Sequence, residues 1–379
     1  MVGTSPVGVL DALRRHPDVE APNLYAVDAT DRLLLDTAEP ALSSARPGSV
    51  VVVGDRYGAL TLGAASRFGC EGIRCHTDSL AGELARAANA SRLELAASYR
   101  DLALSTELFS NAEVVLLQAP RGLDELAEIV GLVAAAAAPS VRVYLGGRVK
   151  YLSPAMNEVM GAAFGSVSAG LARQKSRVIV ATGPKPLDAG FPSFPHREWH
   201  AELGLWVCAH GGAFAGTRID IGTRRLLAVL DRLPASASAI DLGCGTGLLA
   251  CALARRGLPV LASDSSAAAV RSASASAAAN DLASLVTVRR DDALSSVPDE
   301  SAPLIVCNPP FHLGGAVHAG AAVKLFEAAA RVLAPGGELW TVYNSHLGYA
   351  PALRRLIGPT RTVHRDPKFT VTATVKPDR

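Results

Sequence analysis

Four consecutive residues near the end of the sequence combine groups that could hold a planar amine. They are Asn308, Pro309, Pro310 and Phe311, and they follow an apolar run at residues 304–306. The exocyclic amine of a nucleobase is a poor nucleophile, because its lone pair is delocalised into the ring, so both N–H bonds must be held. The side-chain oxygen of Asn308 and the carbonyl of Pro309 can accept those two hydrogens. Phe311 can stack on a base that has been turned out of a helix.

A glycine-rich loop about sixty residues earlier indicates a binding site for a cofactor that would react with the amine. Gly243, Gly245 and Gly247 allow a tight turn and let a ligand touch the backbone. A predicted strand at 239–242 precedes this loop and a predicted helix at 248–256 follows it. Backbone N–H groups and a helix N-terminus therefore lie at the carboxyl end of a parallel sheet, where doubly wound folds bind ligands.

The spacing of this loop distinguishes two classes of cofactor. Its pattern is GxGxG with Asp241 at the end of the strand. Dinucleotide-binding dehydrogenases use a similar turn with the spacing GxGxxG. The loop resembles motif I of S-adenosylmethionine-dependent methyltransferases more closely. A dehydrogenase also leaves the Asn308-Pro309-Pro310 segment without a role, and it is the weakest candidate.

Two acidic turns extend the predicted cofactor site. Asp264 follows the next predicted strand, at 259–263, where it can accept hydrogen bonds from ribose hydroxyls. It could equally cap the helix that begins after it. The third strand ends at Asp291 and Asp292, the place where methyltransferases of this type put an acidic side chain against the adenine amino group. Its position just before Ala293 favours Asp292 over Asp291.

The strand, turn and helix around this loop also occur in the first half of the chain. Gly54 precedes Gly243 by 189 residues, and Gly58 precedes Gly247 by the same number. Such constant spacing indicates a duplication. The first copy nevertheless lacks three residues of the second, having Val52 for Asp241, Arg56 for Gly245 and Ala119 for Asn308. An arginine would crowd the turn, so we expect the first copy to keep the fold without the chemistry.

The fold class that follows is α/β, with two tandem Rossmann-like domains. Each is expected to have a mostly parallel seven-stranded sheet whose final strand is antiparallel. With 379 residues, the chain is too long for one ordinary core. A segment at 183–195 contains four prolines and predicts the linker. The predicted domains are therefore 1–190, a degenerate copy, and 191–379, the catalytic copy.

Composition favours a globular protein of the cytoplasm. Charged residues make up 19% and hydrophobic residues 49% of the chain, and its six cysteines form no CxxC pair. Free thiols in a reducing compartment are expected, with no metal site. No uncharged apolar stretch is long enough to cross a bilayer, and the run at 129–139 predicts a buried helix. We expect a monomer with no membrane partner.

A net charge of +2 is too small to indicate nucleic-acid binding by itself. Basic residues outnumber acidic ones between residues 140 and 200 and again after residue 343. These clusters could neutralise phosphates, or they could be ordinary solvated faces. Charge therefore supports an RNA partner without establishing one.

Several segments together resemble one family, the bacterial ribosomal RNA guanine-N2 methyltransferases that act on the small or the large subunit. They are Gly212 to Gly222, Asp241 to Gly247, Asn308 to His312, Tyr343 to Tyr349 with Lys368-Phe369, and Gln118 to Arg121 in the first copy. The resemblance implies methyl transfer from S-adenosylmethionine to N2 of a guanine in ribosomal RNA or a ribosomal subunit. It implies that the first domain aids RNA recognition or supports the whole fold.

One loop of this resemblance departs from the family pattern. Ala215-Gly216 stands where Ser-Arg is common, so the contacts of that loop are in question. Arg218 and Asp220, in the same segment, are expected to help enclose the cofactor or to form a plain salt-bridged loop.

Two other functions fit the same residues. One is methylation of another planar nitrogen, adenine N6 in nucleic acid or a protein glutamine, although such enzymes usually have Tyr in place of Phe311. The other is a ribosome-assembly factor that binds RNA without catalysis, against which the intact Asn308 argues.

Overall fold

The computed structural model of the protein describes residues 8–310 and 317–378. The chain divides into two compact units, Met1–Phe194 and Pro195–Arg379. No helix in the described ranges is long and apolar enough to cross a membrane.

The first unit is built around one seven-stranded sheet. Its strands are β1 (Val50–Val53), β2 (Ile73–His76), β3 (Tyr99–Asp101), β4 (Val114–Gln118), β5 (Arg142–Arg148), β6 (Phe164–Ala169) and β7 (Ser176–Pro184). Its helices are α1 (Val9–Ala12), α2 (Ala29–Leu42), α3 (Ala59–Phe68), α4 (Leu80–Arg92), α5 (Thr106–Phe109), α6 (Leu123–Ala136) and α7 (Pro154–Ala163). The strand order is β3-β2-β1-β4-β5-β7-β6. Only β7 runs against its neighbours, β5 and β6.

The second unit begins with a hairpin and then repeats this architecture. The hairpin strands are β8 (His196–His200) and β9 (Leu205–Ala209). The sheet strands are β10 (Ala239–Leu242), β11 (Val260–Asp264), β12 (Val286–Arg290), β13 (Ala302–Cys307), β14 (Leu333–Asn344), β15 (Thr360–Arg365) and β16 (Phe369–Val375). The helices are α8 (Ile221–Leu227), α9 (Leu248–Ala254), α10 (Ala267–Ala279), α11 (Val317–Val332) and α12 (Ala350–Leu356). The strand order is β12-β11-β10-β13-β14-β16-β15.

The predicted fold class is confirmed by this repetition. In both sheets six strands run in one direction, and the seventh, which is last in the chain and lies second from the edge of its sheet, runs against them. The proline-rich segment differs in one detail, because its first two residues, Gly183 and Pro184, belong to the end of β7. Pro184 pairs only with Phe164 of β6, since the pairing of β7 with β5 stops at Thr182, and a proline is tolerated at such an end.

The register of the second sheet brings four strand ends to one edge. Leu242, the last residue of β10, lies opposite Ser263 of β11 and Cys307 of β13. Asp264 of β11 lies opposite Arg290 of β12. The residues at and just after these strand ends therefore meet at one edge of the sheet, and they include Gly243, Asp264, Asp292 and Asn308 of the predicted site.

Helix α10 also covers the free edge of the hairpin. Two polar side chains of α10 and that of the residue at its C-cap, spaced four residues apart, accept hydrogen bonds from alternate backbone N–H groups of β9 and the residue after it. The pairs are Ser272 with His210, Ser276 with Cys208, and Asn280 with Trp206, each 2.9 Å from N to O. Four helical residues rise about 6 Å and two strand residues about 6.7 Å, so the two ladders match. An edge that could pair with another chain is thereby satisfied internally.

The packing of α9 against α10 yields a stability prediction. Gly247 has φ +75°, and a Cβ built there would lie 2.8 Å from Cβ of Ala273. Gly257 has φ +84°, yet a Cβ there would meet nothing within 4 Å. We expect Gly247→Ala to lower the free energy of unfolding by about 3 kcal/mol, and Gly257→Ala by about 1 kcal/mol.

Urea unfolding followed by tryptophan fluorescence measures this difference. All three tryptophans, Trp199, Trp206 and Trp340, lie in the second unit, so the signal reports that unit alone. Equal losses in the two variants would contradict the close approach of Gly247 to Ala273.

Candidate cofactor and amine site

The glycine turn after β10 has a backbone that only glycine adopts readily. Gly243, Gly245 and Gly247 have φ values of +75°, +53° and +75°. A Cβ at Gly243 or Gly245 would meet nothing within 4 Å, so the space beside the turn is open to a ligand. The turn is fixed by Gly243 N and Cys244 N, which donate to the carbonyl of Ser263 at 2.8 and 3.0 Å. It is therefore held to β11 and leaves its backbone approachable.

Asp264 ties the glycine turn to the start of α10. Its Oδ2 accepts from Gly245 N at 3.0 Å and its Oδ1 accepts from Ser266 N at 2.9 Å. The cap of α10 is Ser266, whose hydroxyl accepts from Ala269 N, and not Asp264. A carboxylate oxygen has two lone pairs, so each oxygen can accept more than one hydrogen bond. The predicted contact with the cofactor stays a prediction, and the geometry permits it.

Asp241 lies beneath the turn, with 1% of its surface exposed. Its Oδ2 accepts from Ala250 N of α9 at 2.9 Å, while its Oδ1 has no hydrogen-bond partner among the described residues. Burial raises the pKa of Asp241 to about 7. The side chain therefore braces β10 against α9, and its predicted role in cofactor binding would be through the shape of the turn.

The two adjacent aspartates after β12 have different surroundings. Asp291 is buried and accepts from the hydroxyls of Ser295 and Ser296. Burial alone would raise the pKa of Asp291, but these hydrogen bonds outweigh burial and lower it. Asp292 instead forms an ion pair with Lys324 of α11, with its oxygens 2.7 and 2.6 Å from Nζ. Asp292 is thus the one whose carboxylate is not committed to its own turn.

Asn308 is held by residues from another part of the second unit. Its Nδ2 donates to Thr223 Oγ1 at 2.9 Å and lies 3.2 and 3.3 Å from the carboxylate oxygens of Asp220. Its Oδ1 is buried and has no hydrogen-bond partner among the described residues. Pro309 beside it is buried. The predicted stacking residue Phe311, and His312 after it, lie outside the described residues.

Sequence reasoning missed two residues of this edge. Lys324 pairs with Asp292, and Thr223 binds Asn308, but neither lies at a motif position. The sequence predicts that Asp220 either helps to enclose the cofactor or belongs to a plain salt-bridged loop, and the structure places it against Asn308. The only sequence signal for Thr223 is that it lies three residues after Asp220 at a helix start.

The corresponding turn of the first unit is filled by its own side chains. The carboxylate of Asp55 accepts from Gly58 N at 3.0 Å and Thr61 N at 2.8 Å, at the start of α3. Arg86 is fully buried and donates to the carbonyl of Asp55 at 2.8 Å. Arg56, unlike Gly245, has no positive φ. A helix N-terminus that could face an anion is satisfied here by protein.

Comparison with known proteins places both units in described families. The family model for the methyltransferase small domain matches residues 204–373, and the model for the RLMG N-terminal domain matches residues 8–185. Ribosomal RNA large subunit methyltransferase G of Streptomyces coelicolor is 36% identical, with 96% of this chain and 97% of the relative covered. The protein of the same name from Shewanella amazonensis is 33% identical, with 96% of each chain covered.

A solved structure is similar to this chain across 92% of its length. T. thermophilus 16S rRNA N2 G1207 methyltransferase, in complex with AdoMet and guanosine, is similar with a TM-score of 0.72. The two chains are 24% identical, with 92% of each covered. At this identity the likeness establishes the fold.

The buried carboxyl of Asp241 yields a pH prediction. Its pKa is raised from 3.8 to about 7 in the folded state, so the folded protein binds more protons than the unfolded chain between those values. Stability contributed by the neutral form is lost as pH rises through this window. Between pH 5 and pH 8 we expect the free energy of unfolding of wild type to fall by about 2 kcal/mol more than that of Asp241→Asn, whose amide does not titrate. Urea unfolding followed by tryptophan fluorescence at both pH values tests this, and parallel pH profiles for variant and wild type would contradict it.

Proposed function

The chain belongs to the ribosomal RNA large subunit methyltransferase G family, and from that premise we propose that it methylates N2 of a guanine in large-subunit ribosomal RNA. The family resemblance predicted from the motifs is confirmed by these relatives, which cover 96% of this chain. One observation carries the chemistry. The amide oxygen of Asn308 lies buried and without a partner among the described residues, at the carboxyl end of β13.

The methyl donor is S-adenosylmethionine, whose sulfonium makes the transferred methyl group electrophilic. The residues of the turn fit this cofactor. Open space lies beside the backbone of Gly243 and Gly245, and the carboxylate of Asp264 is anchored next to it. Asp264 would accept from the ribose hydroxyls and Asp292 from the adenine amino group. In this assignment Asp241 and Gly247 act indirectly, by holding α9 in place.

Asn308 and Pro309 would hold the acceptor. Oδ1 of Asn308 and the carbonyl of Pro309 accept the two hydrogens of the guanine amine, which fixes the direction of its nitrogen. Nitrogen would gain positive charge as the N–C bond forms and the S–C bond of the donor breaks to leave a neutral thioether, and the nitrogen would then release one proton. Two carbonyl dipoles would stabilise that developing charge more than the neutral ground state. Phe311 is assigned the stacking role on the flipped base.

The first unit would serve RNA recognition or support of the fold. Its turn is occupied by Asp55 and Arg86, and Ala119 stands where the second unit has Asn308. The protein would act as a monomer on the ribosomal RNA or subunit, in the cytoplasm.

Replacement of Asn308 tests the chemistry. We expect wild type to place labelled methyl from S-adenosylmethionine on large-subunit RNA as N2-methylguanosine. Asn308→Ala should lower the single-turnover rate by roughly 10²- to 10⁴-fold while cofactor affinity stays within about threefold, because one acceptor of the amine is lost. Nucleoside analysis of separated ribosomal RNAs and subunits measures the product. Label found only as N6-methyladenosine, or only in protein, would rule the proposal out.

The cofactor assignment can be tested with a control inside the same chain. Asp78 lies two residues after β2 of the first unit, and Asp264 is the last residue of β11, the equivalent strand of the second. We expect Asp264→Ala to weaken S-adenosylmethionine binding by at least about tenfold, since a charged acceptor is lost. Asp78→Ala should leave affinity and a stoichiometry of one unchanged. Calorimetry measures both quantities. A wild-type stoichiometry of two that falls to one in Asp78→Ala would show that the first unit also binds cofactor.

A further inference from the structure

The amide of Asn308 has one orientation that its neighbours accept. The carboxylate of Asp220 can only accept hydrogen bonds. The hydroxyl of Thr223 contacts Asp220 Oδ2 closely, so its single proton is used by the carboxylate. Towards Asn308, Thr223 therefore presents lone pairs. Both groups facing the amide are acceptors, and Nδ2 must point at them.

This arrangement leaves Oδ1 of Asn308 facing away from Asp220 and Thr223. The reverse orientation would place Oδ1 against a carboxylate and against hydroxyl lone pairs, which is repulsive. Hydrogen bonding of Nδ2 to a charged acceptor also shifts electron density through the amide to Oδ1 and makes it a stronger acceptor. Asp220 and Thr223 would thus set both the direction and the strength of the group proposed to hold the amine.

Asp220 is itself fixed by the helix that it caps. Its Oδ1 accepts from Gly222 N at 2.9 Å and from Thr223 N at 3.2 Å at the start of α8. The absence of a side chain at Gly222 also makes room, since a Cβ there would lie 3.0 Å from Oδ1 of Asn308. The start of α8 is therefore shaped around the amide.

The first unit shows which of the residues around Asn308 have a counterpart where the predicted site is absent. At the 189-residue spacing, Asp31 stands for Asp220, Leu34 for Thr223 and Ala119 for Asn308. Asp31 accepts a hydrogen bond from Gln118 of β4, so contact between this aspartate and an amide is kept without the site. Thr223 and Asn308 are the residues of this group that distinguish the second unit.

Building on the proposed function, we infer that Asp220 and Thr223 are positioning residues that orient the Asn308 amide, so that its oxygen meets the guanine N2 amine. Thr223→Val keeps the shape of the side chain and removes its hydroxyl. Single-turnover methylation at saturating S-adenosylmethionine should fall by about tenfold to a hundredfold, with unchanged cofactor affinity and unchanged urea unfolding. Thr223→Ser, which restores the hydroxyl, should recover most of the rate.

Asp220→Asn gives a second variant that reverses the polarity of the hydrogen bonds. Asparagine remains a good N-cap, so α8 should stay folded. Its carbonyl oxygen can keep the two helix amides, and its NH₂ then donates to Thr223. The threonine proton is released towards Asn308 and draws Oδ1 inward, so the rate should fall at least as far as in Thr223→Val.

The outcomes separate this inference from the proposed function. If wild type forms N2-methylguanosine and Asn308→Ala abolishes it, the proposed function stands. The inference is then overturned if Thr223→Val reacts like wild type, if Thr223→Ser is equally slow, or if the lost rate follows lost cofactor affinity. If wild type forms no N2-methylguanosine, the proposed function fails and the inference fails with it.

Discussion

The pairing of β10 with its two parallel neighbours is the constraint on which the site depends. Leu242 lies between Ser263 of β11 and Cys307 of β13. The residue that follows β10, the residue that follows β13 and the last residue of β11 therefore lie at the same edge of the sheet. These residues are Gly243, Asn308 and Asp264. A slip of one residue in either pairing would turn each side chain to the opposite face of the sheet. Turn, ribose acceptor and amine acceptor would then separate.

Local sequence patterns predict much of the fold but few of the side-chain contacts within the site. Strands β10 and β16 follow from their apolar or alternating sequence, and the left-handed turn follows from glycine spacing. The ion pair of Asp292 with Lys324 and the contact of Asn308 with Thr223 join residues far apart in sequence, and no periodicity links them. The direction of Asp241, beneath the turn and not towards its open side, likewise depends on tertiary packing.

The two units show how one framework can be closed or left open. In the first, Arg86 donates to the carbonyl of Asp55, and the carboxylate of Asp55 accepts from two backbone N–H groups at the start of α3. In the second, Oδ1 of Asn308 is buried without a partner among the described residues. An unsatisfied buried acceptor costs about 1 to 3 kcal/mol, and a donor that arrives from outside recovers that energy. The second unit is less complete by itself, and that incompleteness favours binding.

Helix α10 contacts both the β8–β9 hairpin and Asp264 beside the glycine turn, and its rotation about its own axis decides which side chains reach the hairpin. Its sequence is almost entirely alanine and serine, a composition in which neighbouring positions look interchangeable. They are not, because each residue is turned about 100° from the last, and only the spacing of Ser272, Ser276 and Asn280 reaches the hairpin edge. A different rotation of α10 about its axis would turn these side chains away from the hairpin, so the three hydrogen bonds favour one rotational setting of the helix. The same rotational setting also fixes the position of Ser266, whose backbone N–H donates to Asp264. The contact between α10 and the hairpin therefore helps to determine where the carboxylate of Asp264 lies beside the glycine turn.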